Sequence, residues 1–164
     1  MYNIIFDLDL TLVDSTIAEE AKKEKNWPIV YNLIPRFRLY NGMQDVFSFI
    51  RDAECKVAIV STSPGVYVKK VIEYFSIPVQ VVIGYHDAYR KPSPDGMIKA
   101  MKAMNAQPHN TISFGDRPID IIASKAADIK SVGCTWGTKN LIQLTASKPD
   151  ILINEPLGII ELIK

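Results

Sequence analysis

The sequence predicts an α/β fold, with a doubly wound, mostly parallel sheet held between two layers of helices. Three observations predict it. Short apolar runs recur along the chain, and unbroken runs suit strands covered on both faces. Stretches with helical spacing separate them. Polar residues able to do chemistry follow the runs, and in such sheets ligands gather beyond the carboxyl ends of the strands.

The first run covers residues 2–8 and ends in Asp7-Leu8-Asp9. Further runs at 56–60, 80–83 and 111–114 predict three more strands, with 129–132 a fifth and 150–153 a short last one. Between them, Val68, Val71, Ile72 and Phe75 fall at i, i+3, i+4, i+7, and Met97, Ile98, Met101 and Met104 form a similar stripe. Ser63-Pro64 and Ser93-Pro94 place a capping residue before a proline, which suits a helix start; Pro118 can open a third helix, with Asp116 just before it and Asp120 on its first turn.

One stretch interrupts the alternation. Residues 16–25 read as a polar helix, Trp27-Pro28 as a break, 29–34 as an apolar segment, Pro35 as a second break and Asn41-Gly42 as a turn. It is too long for an ordinary connection of about 4–6 residues. The expectation is therefore one domain over 1–164, carrying a small helical insert at 15–41 beside the site.

Composition bounds the function. Of 164 residues, 48% are hydrophobic and 23% charged, enough for a packed core and unlike a disordered chain. A net charge of +1 argues against a dedicated nucleic-acid surface. No apolar stretch approaches the roughly 18 residues of a membrane span, and the first run lacks the basic start and cleavage site of a signal peptide. Cys55 and Cys134 have no metal-ligand spacing and predict thiols in a reducing cytoplasm.

The strand ends carry the chemistry. Asp7 and Asp9 follow the first run, with Thr11 beyond; Ser61 and Thr62 follow the second. Arg90 and Lys91 lie after the third, and Asp116 and Asp120 after the fourth. Carboxylates converging in this way repel one another unless a hard cation joins them. Mg²⁺ fits, because it prefers oxygen ligands and is commonly shared between carboxylates and a substrate phosphate. Ser61 and Lys91 are suitable donors to that phosphate. No GxxxxGK[ST] loop, GxGxxG fingerprint or zinc-spaced Cys/His cluster is present.

These residues resemble the four motifs of the haloacid dehalogenase superfamily. Asp7-Leu8-Asp9-Leu10-Thr11 is similar to its DxDx[TV] motif, Ser61 to its second-motif hydroxyl, Lys91 in Arg90-Lys91-Pro92 to its lysine, and Gly115-Asp116-Arg117-Pro118-Ile119-Asp120 to GDxxxD. Four in order carry the resemblance. Many relatives have Gly where Leu10 stands.

The resemblance implies a three-layer Rossmann-like fold and a phosphatase. It implies Asp7 as nucleophile, Asp9 as general acid and base with its backbone carbonyl on the metal, and Asp7 and Asp116 as direct Mg²⁺ ligands. Asp120 would hold a water on the metal or orient its neighbours. Ser61 and Lys91 would bind the transferring phosphoryl group, and Thr11, Thr62, Arg90 and Arg117 complete the expected substrate-binding set. A second aspartate favours phosphoester hydrolysis over dehalogenation. The phosphorylated substrate stays open among small metabolites, nucleotides and macromolecules. The insert stands where relatives carry a larger cap, so either the site is open to a bulky substrate or another copy of the chain covers it.

Blander readings accompany these. Asp14 and Ser15 suit a helix cap, Thr11 a hydrogen bond that steadies the Asp7 turn, and Arg36 and Arg38, like Arg90 and Arg117, solvated positions near the mouth. Two rival functions are a catalytically idle binding protein on the same fold and a receiver-like phospho-switch. The receiver places its phosphoacceptor after the third strand, where this chain has Gly84-Tyr85.

Overall fold

The computed structural model describes residues 2–164. In chain order the strands are β1 (Asn3–Phe6), β2 (Val13–Asp14), β3 (Arg38–Leu39), β4 (Val57–Val60), β5 (Val81–Ile83), β6 (Thr111–Gly115), β7 (Lys130–Cys134) and β8 (Ile151–Ile153). The helices are α1 (Glu19–Lys23), α2 (Trp27–Leu33), α3 (Met43–Asp52), α4 (Gly65–Phe75), α5 (Asp95–Met104), α6 (Pro118–Ala126), α7 (Leu141–Ala146) and α8 (Gly158–Ile163).

Six strands form one sheet in the order β5-β4-β1-β6-β7-β8, and every pairing is parallel. All six expected strands are present with trimmed or shifted ends. β1 lies between β4 and β6. The chain fills one side of β1 with β4 and β5, then crosses to β6, β7 and β8. This reversal opens a crevice at the carboxyl ends of β1 and β6, where Asp7 and Asp116 emerge.

The period of the strands divides the core into two layers. Ile4 and Phe6 of β1, with Val57 and Ile59 of β4, pack against Val46, Phe47 and Ile50 of α3 and Tyr67, Val68 and Val71 of α4. Ile5, Ala58 and Val60 face the other way, onto Met97, Ala100, Met101 and Met104 of α5 and Ala123 of α6. The expected methionine stripe is therefore core, whereas Ile98 is 50% exposed.

Several local expectations are corrected. Trp27-Pro28 does not break a helix but opens α2, with Pro28 in its first turn. Proline there loses no hydrogen bond, because the first N–H groups of a helix have no intrahelical partner. Residues 16–25 begin as a 3₁₀ turn, Thr16–Ala18, before α1. Ser63 does not cap α4: that helix starts at Gly65, and the Ser63 hydroxyl turns to Asp9 instead. The small antiparallel ladder of β2 with β3 was not expected; it ties the two ends of this segment together beside β1.

Candidate active site

The turn after β1 sets the site. Asp7 N–H donates to Phe114 O at 2.9 Å, carrying the β1–β6 ladder one step further. The chain then folds back, with Leu10 in the left-handed region at φ 63° and Leu12 N–H donating to Leu8 O at 2.9 Å. Leu10 thus takes the backbone conformation that favours glycine. This turn points Asp7 and Asp9 to one end of the sheet.

Asp7, Asp116 and Asp120 each offer an oxygen within 4.8 Å of the others, and all three are buried. Asp116 is positioned by Thr11, whose hydroxyl donates to its Oδ1 at 3.0 Å. Asp120, in the first turn of α6, accepts from Arg117 N–H at 2.9 Å and from Lys91 Nζ at 2.5 Å. Lys91 Nζ also donates to Asp7 Oδ1 and to Val60 O, both at 2.9 Å. Asp7 Oδ2 is buried and has no hydrogen-bond partner among the described residues.

The electrostatics are those of a crowded acid cluster. Burial opposes ionisation of Asp7, but Lys91 and Arg117 outweigh it and hold its carboxyl below the usual range. For Asp116 the balance runs the other way. Burial, then Asp7 and Asp120, push it up to about 9. Asp120 is also raised, by burial and Asp7, against the pull of Lys91 and Arg117. Burial works against the Lys91 ammonium, yet Asp120 and Asp7 raise its pKa. Lys91 and Arg117 together leave three carboxylates with an excess negative charge. A buried all-oxygen donor set with one unpartnered oxygen fits a hard divalent cation.

Asp9 lies apart from that triad. Its Oδ1 accepts from Ser15 Oγ, Lys22 Nζ and Tyr67 Oη, each at 2.6 Å. Its Oδ2 accepts only a long contact of 3.3 Å from Ser63 Oγ. A cavity of about 610 Å³ joins these groups, lined by Asp7, Asp9, Asp116 and Arg117, by Glu19 and Lys22 of the 15–41 segment, and by Lys139 after β7. Lys139 and Glu19 form an ion pair across the rim.

The structure brings Asp7, Asp9, Thr62, Asp116 and Arg117 to the cavity wall, and Lys91 and Asp120 onto Asp7. Arg117 donates to Thr62 Oγ1 at 3.2 Å. Ser61 is buried at the end of β4, its Oγ accepting from Ser63 N–H at 3.1 Å. Thr11 is fully buried and faces Asp116 rather than the cavity. Arg90 is exposed and lines a neighbouring cavity, while Arg36 and Arg38 line neither. Neither residue caps a helix with its side chain: Asp14 accepts from Thr16 N–H at 3.1 Å in a local turn, and Ser15, at the N-cap position of the 3₁₀ turn, serves Asp9.

Sequence reasoning missed Lys22, Tyr67 and Lys139. Tyr67 reads as one apolar position among several on α4, and Lys22 as one charge on a polar helix. Lys139 had a signal: it follows a strand, as the other site residues do.

With the geometry in place, comparison with known proteins is decisive on ancestry. The sequence model of haloacid dehalogenase-like hydrolases matches residues 17–134. The chain belongs to that family. It is 31% identical over 102 residues to a phosphoglycolate phosphatase of Colwellia psychrerythraea, covering 60% of this chain and 45% of that protein. It is 27% identical over 132 residues to a pyrophosphatase PpaX of Listeria welshimeri, covering 76% and 59%. The chain thus spans about half the length of the curated relatives it matches. Its fold matches a crystal structure from Haemophilus somnus, named a predicted phosphoglycolate phosphatase, with TM-score 0.87, 19% identity and coverage of 100% and 98%. A hydrolase from Pseudomonas syringae matches with TM-score 0.85, 17% identity and coverage of 99% and 98%. Among the described residues, no helix is long and apolar enough to cross a membrane.

Proposed function

We propose that this chain is a Mg²⁺-dependent phosphomonoester hydrolase that works through an aspartyl-phosphate on Asp7. The observation that carries the proposal is the state of Asp7. Lys91 fixes Oδ1, while Oδ2 is left unpartnered beside Asp116 and Asp120, and the side chain reaches the cavity wall. A structural carboxylate in a core would have both oxygens satisfied.

Asp7, Asp116 and the Asp9 carbonyl would hold the cation, with Asp120 supporting them. Mg²⁺ would supply charge neutralisation for the carboxylates and for the phosphoryl oxygens. In the first half-reaction the Asp7 carboxylate attacks phosphorus, the bond to the leaving oxygen breaks, and Asp9 gives that oxygen its proton. In the second, water attacks the same phosphorus, Asp9 takes the water's proton, and inorganic phosphate leaves as Asp7 is restored. Oδ1 of Asp9 is saturated by three donors, which leaves Oδ2 as the oxygen that carries the proton. Lys91, Ser61, Thr62 and Arg117 stabilise the charge on the transferring group. Thr11 acts through Asp116.

The test is hydrolysis of 4-nitrophenyl phosphate with Mg²⁺ and with EDTA. Turnover is expected only with Mg²⁺, and Asp7→Asn is expected to remove it. Turnover that survives Asp7→Asn rejects the nucleophile. Absence of turnover on any phosphomonoester favours the idle binding protein.

A further inference from the structure

The hydrogen bonds on Asp9 are lopsided. The three donors to its Oδ1 come from separate parts of the chain: Ser15 after β2, Lys22 on α1 and Tyr67 on α4. Donors arriving from three elements fix the rotamer of the carboxyl group, where a single bond would let it turn. Oδ2 meets only the long contact from Ser63.

Tyr67 is the deepest of the three donors. Its side chain is fully buried, with the ring 5.8 Å from that of Trp27 and 6.5 Å from that of Phe37. Both neighbours belong to the 15–41 segment. Burial, then Asp9, push the phenol pKa far up, so the hydroxyl stays a donor. Lys22 closes the arrangement from the cavity wall. Its ammonium lies 4.6 Å from the centroid of the Tyr67 ring and 3.4 Å from Ser15 Oγ, so the donors brace one another. A buried tyrosine needs one acceptor for its hydroxyl, and any carbonyl would serve. That need does not account for three donors converging on the one aspartate that lines the cavity yet stands outside the acid triad.

We infer that Tyr67 and Lys22 are positioning residues for proton transfer, holding Asp9 with Oδ2 turned to the leaving oxygen. Neither touches the reacting atoms. As the bond from phosphorus to the leaving oxygen breaks, the proton passes from Asp9 Oδ2 to that oxygen, and the bonds on Oδ1 keep the acid in place. This inference rests on the phosphatase reading and gives the 15–41 segment a part in its acid–base step.

The experiment compares kcat/KM for benzyl phosphate and 2,4-dinitrophenyl phosphate in the wild type, in Tyr67→Phe and in Lys22→Met. This constant reports events up to loss of the leaving group. The benzyl alkoxide needs the proton, whereas dinitrophenolate can leave as the anion. The benzyl-to-dinitrophenyl ratio is expected to fall about ten-fold in each variant, a share of the roughly 10²–10⁴ that a placed general acid contributes. Tyr67→Phe keeps the buried ring, and Lys22→Met changes a side chain on the cavity wall rather than in the core. A merely structural role would lower both esters by one factor. An unchanged ratio in either variant, or a wild type that turns over only the dinitrophenyl ester, overturns the inference and leaves the phosphatase reading intact. No turnover of either ester by the wild type with Mg²⁺ overturns both.

Discussion

Asp116 is 1% exposed and faces two other carboxylates, and its proton affinity follows from that crowding. Its pKa rises from the ordinary 3.8 to about 9. The metal-free folded protein therefore keeps a proton that the unfolded chain releases above pH 3.8. The sign is the reverse of the usual aspartate case: this group's contribution to stability falls as pH rises from about 4 to about 9. A cation displaces the proton. Calorimetric titration with Mg²⁺ at pH 7, in two buffers of different ionisation enthalpy, is expected to report about one proton released per ion. The release is expected to fade as the pH passes about 9. Binding at pH 7 without proton release would contradict this account of Asp116. The residue types of the cluster were legible in the sequence, because each follows an apolar run. The partners of Asp9 were not, because Tyr67 and Lys22 reach it from 58 and 13 residues away.

At the scale of elements, the loop after β7 locks the turn after β1. Trp136 Nε1–H donates to Thr11 O at 2.9 Å, and its ring lies 6.4 Å from that of Tyr40. Gly137 sits so close to the turn that an added Cβ would meet Leu10 O at 1.9 Å. Backbone cannot yield as a flexible side chain can. Gly137→Ala is expected to cost about 1–3 kcal/mol in urea unfolding, and to lower turnover by displacing the Asp7–Asp9 turn. An unchanged midpoint together with unchanged kcat would contradict that contact. The sheet strands and α5 were readable from apolar runs and a helical stripe. The β2–β3 ladder was not, since Val13-Asp14 and Arg38-Leu39 are too short to carry a period. Pro28 misled because its effect depends on its place in the helix, and that place is set by where α2 begins.

For the whole molecule, the claim is one of convergence. Residues from the ends of β1, β4 and β6, and Lys91 before α5, meet at the one crevice where the strand order reverses. That crevice was predictable from the alternation of strands and helices, and it accounts for why four short motifs point to one candidate site. The neighbouring cavity that Arg90 lines was not predictable, because its other walls come from Lys22, Trp27, Pro64 and Tyr85, which are distant in the sequence. The most direct test is a crystal structure with Mg²⁺ and beryllium fluoride, a mimic of the phosphoryl group. The account predicts beryllium bonded to an Asp7 carboxylate oxygen, with the cation held against Asp116 and Lys91 Nζ turned to the fluorines. Beryllium fluoride on another side chain, or a cation bound away from Asp7 and Asp116, would contradict it.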